Sequence, residues 1–86
     1  MAFRTASDLV VEVLSRSDEW SKFETKLDDY LAAGVKEIWV VSVDERCVWS
    51  YRPDQPHRRL EAAEELSSPE VLPGFSCRVV DFFLHV

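Results

Sequence analysis

The chain has 86 residues, of which 47% are apolar, and a formal net charge of −6 at pH 7. This length allows one domain, and the acidic charge argues against a dedicated nucleic-acid binder, because phosphate binding depends on Lys and Arg. We interpret the basic cluster at residues 57–59 as a solvated strand end. Cys47 and Cys77 lack zinc-site spacing and are expected to be free thiols. The N-terminal residues do not have the pattern of a signal peptide. No apolar run approaches the roughly 20 residues that are needed to span a bilayer. We therefore expect a cytoplasmic protein.

Two runs that are apolar on both faces predict neighbouring strands inside a sheet. Residues 8–14 read DLVVEVL, and residues 36–43 read KEIWVVSV. Strands that are buried on both faces are typical of parallel pairing. A helical pattern separates the two runs, and a strand, a helix and a strand at this spacing predict a right-handed βαβ unit. Residues 46–52 follow a tight turn, so we expect them to pair antiparallel with the second strand.

The connecting helix is predicted over residues 18–33, where apolar side chains recur at helical spacing. Ser15 or Ser17 is the expected N-cap, and Gly34 is the expected left-handed residue after the helix. The stripe that should cover the sheet consists of Phe23, Leu27, Tyr30 and Leu31.

The last third of the chain has weaker patterns. Two prolines make residues 53–56 a loop, and residues 58–66 are compatible with an edge strand or a short helix. The apolar tail at residues 79–86 is expected to dock onto the body of the protein. The predicted fold class is therefore α/β (α+β), with a mixed sheet built from a βαβ unit and a β-hairpin.

Glu12 is the first candidate for a functional residue. A carboxylate inside an apolar strand is costly to bury unless it is paired or binds a metal. Strand alternation puts Asp8 on the same face, but the two Cα atoms should lie about 13 Å apart. Two carboxylates that share one metal need oxygens within about 4–5 Å of each other. A second acid for a metal at Glu12 should therefore come from a neighbouring strand.

Lys26 is the second candidate, because it lies at the edge of the helical apolar stripe. Its stem can run along the sheet and bring the ammonium group near Glu12. A metal beside an ammonium group suits phosphodiester hydrolysis, in which the metal activates water and both cations stabilise the developing charge. In the structural alternative, Lys26 pairs with Asp29 and Glu12 is a partly exposed strand carboxylate. The spacing alone leaves both interpretations open.

Four segments, in their order along the chain, resemble the Uma-two family of bacterial putative restriction endonucleases, which belongs to the PD-(D/E)XK nuclease superfamily. The segments read SDLVVEVLSRS, KLDDYLAAGVKEIWVVS, RCVWSYR and SPEVLPGF. The corresponding family patterns are PDLVVEVLSPS, a helix lysine followed by AGVxEYWxVD, VxVYR and SPxLPGF. By position, the resemblance implies that Glu12, Lys26 and Asp8 are catalytic and that Glu12 and Asp8 bind the metal. It also implies Mg²⁺, with Mn²⁺ as a substitute, and DNA as the substrate.

The chain departs from the family pattern at several positions. Ser7 and Arg16 replace prolines, Leu14 stands where the superfamily motif has its lysine, and Ser42 stands near a usual aspartate. Family members carry a further helix and strands, with a second acidic motif, before the segment that starts at Asp8. The resemblance therefore implies a single truncated restriction-endonuclease-like domain over residues 1–86, without the N-terminal part of the core.

Two functions remain open at this point. The first is a Mg²⁺-dependent endonuclease with weak or absent activity in this short chain. The second is a non-catalytic α/β module, a degenerate remnant of the family that is stable as a homo-oligomer. Missing strands would leave an unpaired apolar edge, so we expect a homodimer or a larger assembly. The residues expected at its interface are Trp20, Trp39 or the pair Phe82 and Phe83.

Overall fold

The chain folds into a mixed five-stranded sheet with a helix on one face and a small two-stranded sheet on the other. This is a computed structural model that describes the backbone of Ala2–Thr5 and residues 8–83. The strand order of the large sheet is β1-β2-β3-β4-β5, and β6 pairs with β7 in the small sheet. The strands are β1 Ala2–Thr5, β2 Leu9–Leu14, β3 Glu37–Ser42, β4 Cys47–Tyr51, β5 Arg58–Leu60, β6 Glu65–Ser67 and β7 Ser76–Arg78.

The predicted βαβ unit and hairpin are confirmed. Strands β2 and β3 are parallel, with Glu12 opposite Val40, and β4 is antiparallel to β3. The connecting helix α1 covers Ser17–Ala32. Gly34 follows it with φ +89°, a conformation that costs glycine little because it has no Cβ.

The doubly apolar strands are explained by two separate hydrophobic cores. On the helix side, α1 packs its buried Phe23 against one face of β2 and β3. On the opposite side, Leu66, Val79 and Phe83 cover the other face. A short helix and a two-stranded sheet from the same chain therefore bury what one helix could not cover alone.

The outer edge of β2 is paired, which corrects the prediction of an unpaired edge. Strand β1 pairs antiparallel with β2, in the register Ala2–Glu12 to Thr5–Leu9. The few residues before Asp8 are enough for this pairing because a strand of four residues satisfies the exposed backbone groups of most of β2. The edge strands of the large sheet are therefore β1 and β5.

The region with weak patterns resolves into short elements. Of the two alternatives for residues 58–66, the edge strand is confirmed, because β5 pairs antiparallel with β4. The tail forms a 3-10 helix at Val79–Phe83 whose buried ends dock onto the body. Ser7 and residues 84–86 of the predicted tail lie outside the described residues.

The burial of the aromatic residues changes the predicted interface. Trp39 is 2% exposed and Phe83 is 5% exposed, so both are used within the chain and offer no surface to a partner. Trp20 and Phe82 are half-buried and remain available.

Cys47 and Cys77 are free thiols, as predicted, and burial raises the pKa of both. Within the described part of the chain, no helix has the length and hydropathy to cross a membrane.

Candidate active site

A cleft of about 150 Å³ opens between the end of β2 and the first turns of α1. Its floor is formed by the strand and its wall by the helix, so residues far apart in the βαβ unit meet there. The lining residues are Glu12, Leu14, Arg16, Glu19, Lys22, Phe23 and Lys26. Glu12 and Lys26, both predicted as catalytic from the sequence, therefore line one cleft.

Glu12 is the most unusual residue of this cleft. It lies on the helix-facing side of β2, between the buried Val10 and Leu14, and is only 3% exposed. Its carboxylate makes no hydrogen bond or ion pair with any residue between positions 8 and 83. This burial excludes the interpretation of Glu12 as a partly exposed strand carboxylate. The residue as a whole is buried, but its carboxylate oxygens lie at the opening of the cleft, where water or a ligand can reach them.

Two lysines of α1 form the wall opposite Glu12. Lys22 and Lys26 are four residues apart, which places them on the same side of the helix. Their ammonium groups make no ion pair with another described residue, so the alternative pairing of Lys26 with Asp29 is not formed. Lys22 was not predicted as a site residue, although its spacing of four residues from Lys26 indicates that both lysines lie on the same side of the helix.

The start of α1 differs from the prediction. The N-cap residue is Arg16, and Glu19, not a serine, satisfies the local backbone groups. One oxygen of Glu19, Oε1, accepts hydrogen bonds from Ser15 N at 2.7 Å, Ser15 Oγ at 2.8 Å and Arg16 N at 3.1 Å. The backbone N–H of Ser15 is the main cause of the lowered pKa of Glu19, followed by the Ser15 hydroxyl. Glu19 is therefore an ionised carboxylate that the helix start already occupies.

Asp8 lies at the opposite end of β2 from this cleft and does not line it. Its carbonyl oxygen accepts hydrogen bonds from Lys36 N and Glu37 N, and its carboxylate lies 4.0 Å from Lys36 Nζ. The roles of Asp8 in catalysis and metal binding stay predictions.

The donors of the cleft suit a hard divalent cation only in part. Glu12 supplies the oxygen ligand that Mg²⁺ prefers, and Mg²⁺ sites often use one or two carboxylates with several waters. Residues 8–83, however, contain no group of three or more His, Cys, Asp or Glu side chains that could hold a metal. Glu12 therefore fits as one ligand of such an ion, while the second carboxylate of the cleft, Glu19, is engaged by Ser15 and Arg16.

A second buried glutamate, Glu37, was missed by the sequence analysis. It is 1% exposed and lies on the face of β3 away from the helix, together with Trp39. In contrast to Glu12, both of its oxygens are occupied, by hydrogen bonds from Trp39, Ser50, Arg52 and Ser68. The available signal was its position in a doubly apolar strand, which is the same signal that singled out Glu12.

Comparison with known proteins decides the family. The model of the Uma2 family, described as a putative restriction endonuclease, matches residues 2–80. This chain belongs to the Uma2 family. The match covers nearly the whole chain, so it includes both the cleft of Glu12 and the network around Glu37. None of the curated proteins shows significant similarity to the chain.

A solved structure supports the same assignment of the fold. The crystal structure of a putative nuclease of DUF820 from Anabaena variabilis resembles this Uma2 chain with a TM-score of 0.78 and 26% sequence identity. The alignment covers 94% of this chain and 46% of the other. The chain thus has a nuclease-like mixed α+β fold and spans about half the length of that nuclease.

Proposed function

We propose that the chain carries part of the active site of a Mg²⁺-dependent endonuclease that hydrolyses DNA phosphodiester bonds, and that the chain alone cleaves DNA weakly or not at all. The observation that carries this proposal is Glu12, a buried carboxylate without a partner among residues 8–83, in one cleft with two unpaired lysines. Membership of the Uma2 family and the likeness to a putative nuclease support it.

Each residue has a defined task in this proposal. Lys26, assisted by Lys22, binds the phosphate and stabilises the negative charge that develops on it. Glu12 would hold the Mg²⁺ ion, which when bound activates a water molecule and polarises the phosphate.

The expected weakness of the activity has a physical reason. The cleft offers one available carboxylate, so a metal would be held mainly by waters and would be poorly fixed in position. The net charge of −6 further opposes the approach of DNA. A second carboxylate would have to come from outside residues 8–83 or from another copy of the chain.

Metal binding is tested by titrating Mn²⁺ into the chain while paramagnetic broadening is followed by NMR. We expect broadening of the signals around Glu12, with weak affinity, and its loss in Glu12→Gln. Persistent broadening in Glu12→Gln would place the metal elsewhere and contradict the assignment.

Catalysis is tested by plasmid nicking in the presence of Mg²⁺. We expect slow or undetectable nicking by the chain, with any activity lost in Glu12→Gln and Lys26→Ala. Arg78→Ala is the control, because it removes one positive charge from an exposed residue outside the cleft. Robust nicking that disappears in both cleft variants would show that the chain is more active than proposed, with the missing ligand supplied by a second copy or from outside residues 8–83.

The alternative function is a non-catalytic, homo-oligomeric module of the same fold. It is favoured by the single available carboxylate in the cleft and by the acidic surface. Absence of Mn²⁺ binding at Glu12, together with a stable oligomer, would support this alternative over the endonuclease.

A further inference from the structure

A second cavity, of about 210 Å³, lies on the face of the sheet opposite the Glu12 cleft. The two sites are on opposite faces because Glu37 and Val40 alternate along β3, and Val40 faces the helix together with Glu12. The polar side chains that line the second cavity include Arg52, Gln55, Arg58 and Ser67. The endonuclease chemistry proposed above does not use them.

Arg52 is held in this cavity by a buried partner. Its Nε donates a hydrogen bond to Oε1 of Glu37 at 3.0 Å, and its Nη2 lies 2.9 Å from the same oxygen in an ion pair. Glu37 is itself fixed, because Ser68 Oγ donates to Oε1 at 2.7 Å and Ser50 Oγ donates to Oε2 at 3.1 Å. The Glu37 carboxylate is thus fully occupied, and Arg52 keeps Nη1 without a partner among the described residues. This arrangement positions a guanidinium group before any ligand binds.

The charge of the cavity has the opposite sign to that of the whole chain. Its charged lining residues are Glu37, Arg52 and Arg58, which gives one carboxylate and two guanidinium groups. Glu37 neutralises Arg52, whereas Arg58 makes no ion pair with another described residue. In a chain with a net charge of −6, this uncompensated positive group favours an anionic ligand at this place.

We propose that this cavity binds a phosphate group. Arg52 directly follows β4 and Arg58 begins β5, the strand that pairs with β4, so both guanidinium groups line the same cavity. Together with the Gln55 amide, the two arginines offer more N–H donors than the two oxygens of a carboxylate can accept. A phosphate has additional oxygens that point in different directions, so it can accept hydrogen bonds from all three side chains. The phosphate can belong to the free anion, to a nucleotide or to the 5′ end of a DNA strand.

Binding is tested by NMR titration of the chain, with the Nε–H signals of Arg52 and Arg58 as reporters. The titrants are inorganic phosphate, a nucleoside monophosphate, and an oligonucleotide with either a 5′-phosphate or a 5′-hydroxyl. We expect saturable shifts and, in Arg58→Gln, at least about tenfold weaker binding, as is typical for the loss of one charge-assisted hydrogen bond. Arg78→Gln is the matched control, because it removes the same charge from an exposed residue outside the cavity.

The titrants also identify the source of the phosphate. Saturation by inorganic phosphate alone indicates the free anion, tighter binding of the nucleotide indicates a nucleotide site, and dependence on the 5′-phosphate indicates a DNA end. The proposal is overturned if none of the titrants saturates the two arginine signals. It is equally overturned if acetate binds as tightly as phosphate, or if Arg78→Gln weakens binding as much as Arg58→Gln does.

Discussion

At the scale of single residues, two buried glutamates on neighbouring strands have opposite surroundings. Glu37 accepts hydrogen bonds from four side chains, whereas Glu12 has no such partner in the described part of the chain. Burial of a charge is tolerated when the charge is paired and hydrogen-bonded, and is costly otherwise. Glu37 therefore belongs to the scaffold, while Glu12 has the environment of a residue kept for a function.

This contrast predicts opposite effects of the same substitution. Glu12→Leu should raise the free energy of unfolding by about 1 kcal/mol, because it replaces a carboxylate without a partner in the described part of the chain by an apolar side chain on the helix-facing side of β2. Glu37→Leu should lower the free energy of unfolding by about 3 kcal/mol, because it removes one partner of a buried ion pair. This value is at the low end of the usual cost, since the side chain of the remaining Arg52 is 31% exposed and can be hydrated. Both values are measured by urea unfolding at neutral pH.

The exposed Glu65→Leu is the control for the change of residue type, and it should change the stability by less than about 0.5 kcal/mol. The double variant Glu37→Leu, Arg52→Leu should be more stable than Glu37→Leu alone, because no unpaired charge remains. A destabilised Glu12→Leu would contradict the functional interpretation of Glu12.

At the scale of elements, the start of α1 links stability to the candidate site. Glu19 holds the turn between β2 and α1 by accepting hydrogen bonds from Ser15 and Arg16. This turn sets where Lys22 and Lys26 lie relative to Glu12. The cleft therefore depends on an element boundary that is itself sensitive to protonation.

The lowered pKa of Glu19 predicts the direction of the pH dependence. The folded chain favours the ionised carboxylate, so its stabilising effect is full above the ordinary value of 4.5 and is lost as the pH falls through the lower folded value. In Glu19→Gln, the stability should depend less steeply on pH below 4.5 than in the unmodified chain. The urea midpoint measured across this acidic range provides the test.

Glu24→Gln is the matched control on the same helix, because this exposed carboxylate makes no hydrogen bond within the described part of the chain. It should leave the steepness of the pH dependence nearly unchanged. Equal slopes in Glu19→Gln and the unmodified chain would show that the hydrogen bonds at the helix start do not stabilise the fold.

At the scale of the whole molecule, both faces of the sheet are covered, but within the described part of the chain no strand pairs with the outer side of β1. The other edge strand, β5, is short and carries Arg58 and Arg59, features that discourage edge pairing. Strand β1 is therefore the edge at which a second copy of the chain could add to the sheet. The half-buried Trp20 and Phe82 are the remaining aromatic candidates for an interface.

We predict that the chain forms a homodimer or a larger assembly. Sedimentation equilibrium at micromolar concentration should give a mass above the 9.9 kDa of one chain. The prediction depends on an unpaired sheet edge and half-buried aromatic side chains, which association would cover. A monomer of 9.9 kDa that unfolds cooperatively would contradict it.

The central part of the fold and two residues of the cleft could be predicted from the amino-acid sequence. The doubly apolar patterns of β2 and β3, with a helix between them, leave little choice but a parallel pair, because hydrophobic periodicity is a local property. Glu12 was found because a charge in such a pattern is costly, and Lys26 because it stands at the edge of the helical stripe.

The contacts between polar groups of different elements became clear only in the folded chain. The pairing of β1 with β2 and the packing of β6, β7 and the 3-10 helix depend on short segments whose patterns are too weak to predict. The contacts of Glu37 with Arg52 and Ser68 join residues 15 and 31 positions away. Local sequence patterns do not predict contacts between residues so far apart in the chain. From the sequence, the two glutamates therefore have the same pattern around them. The fold shows that Glu37 has partners, whereas Glu12 faces an open cleft.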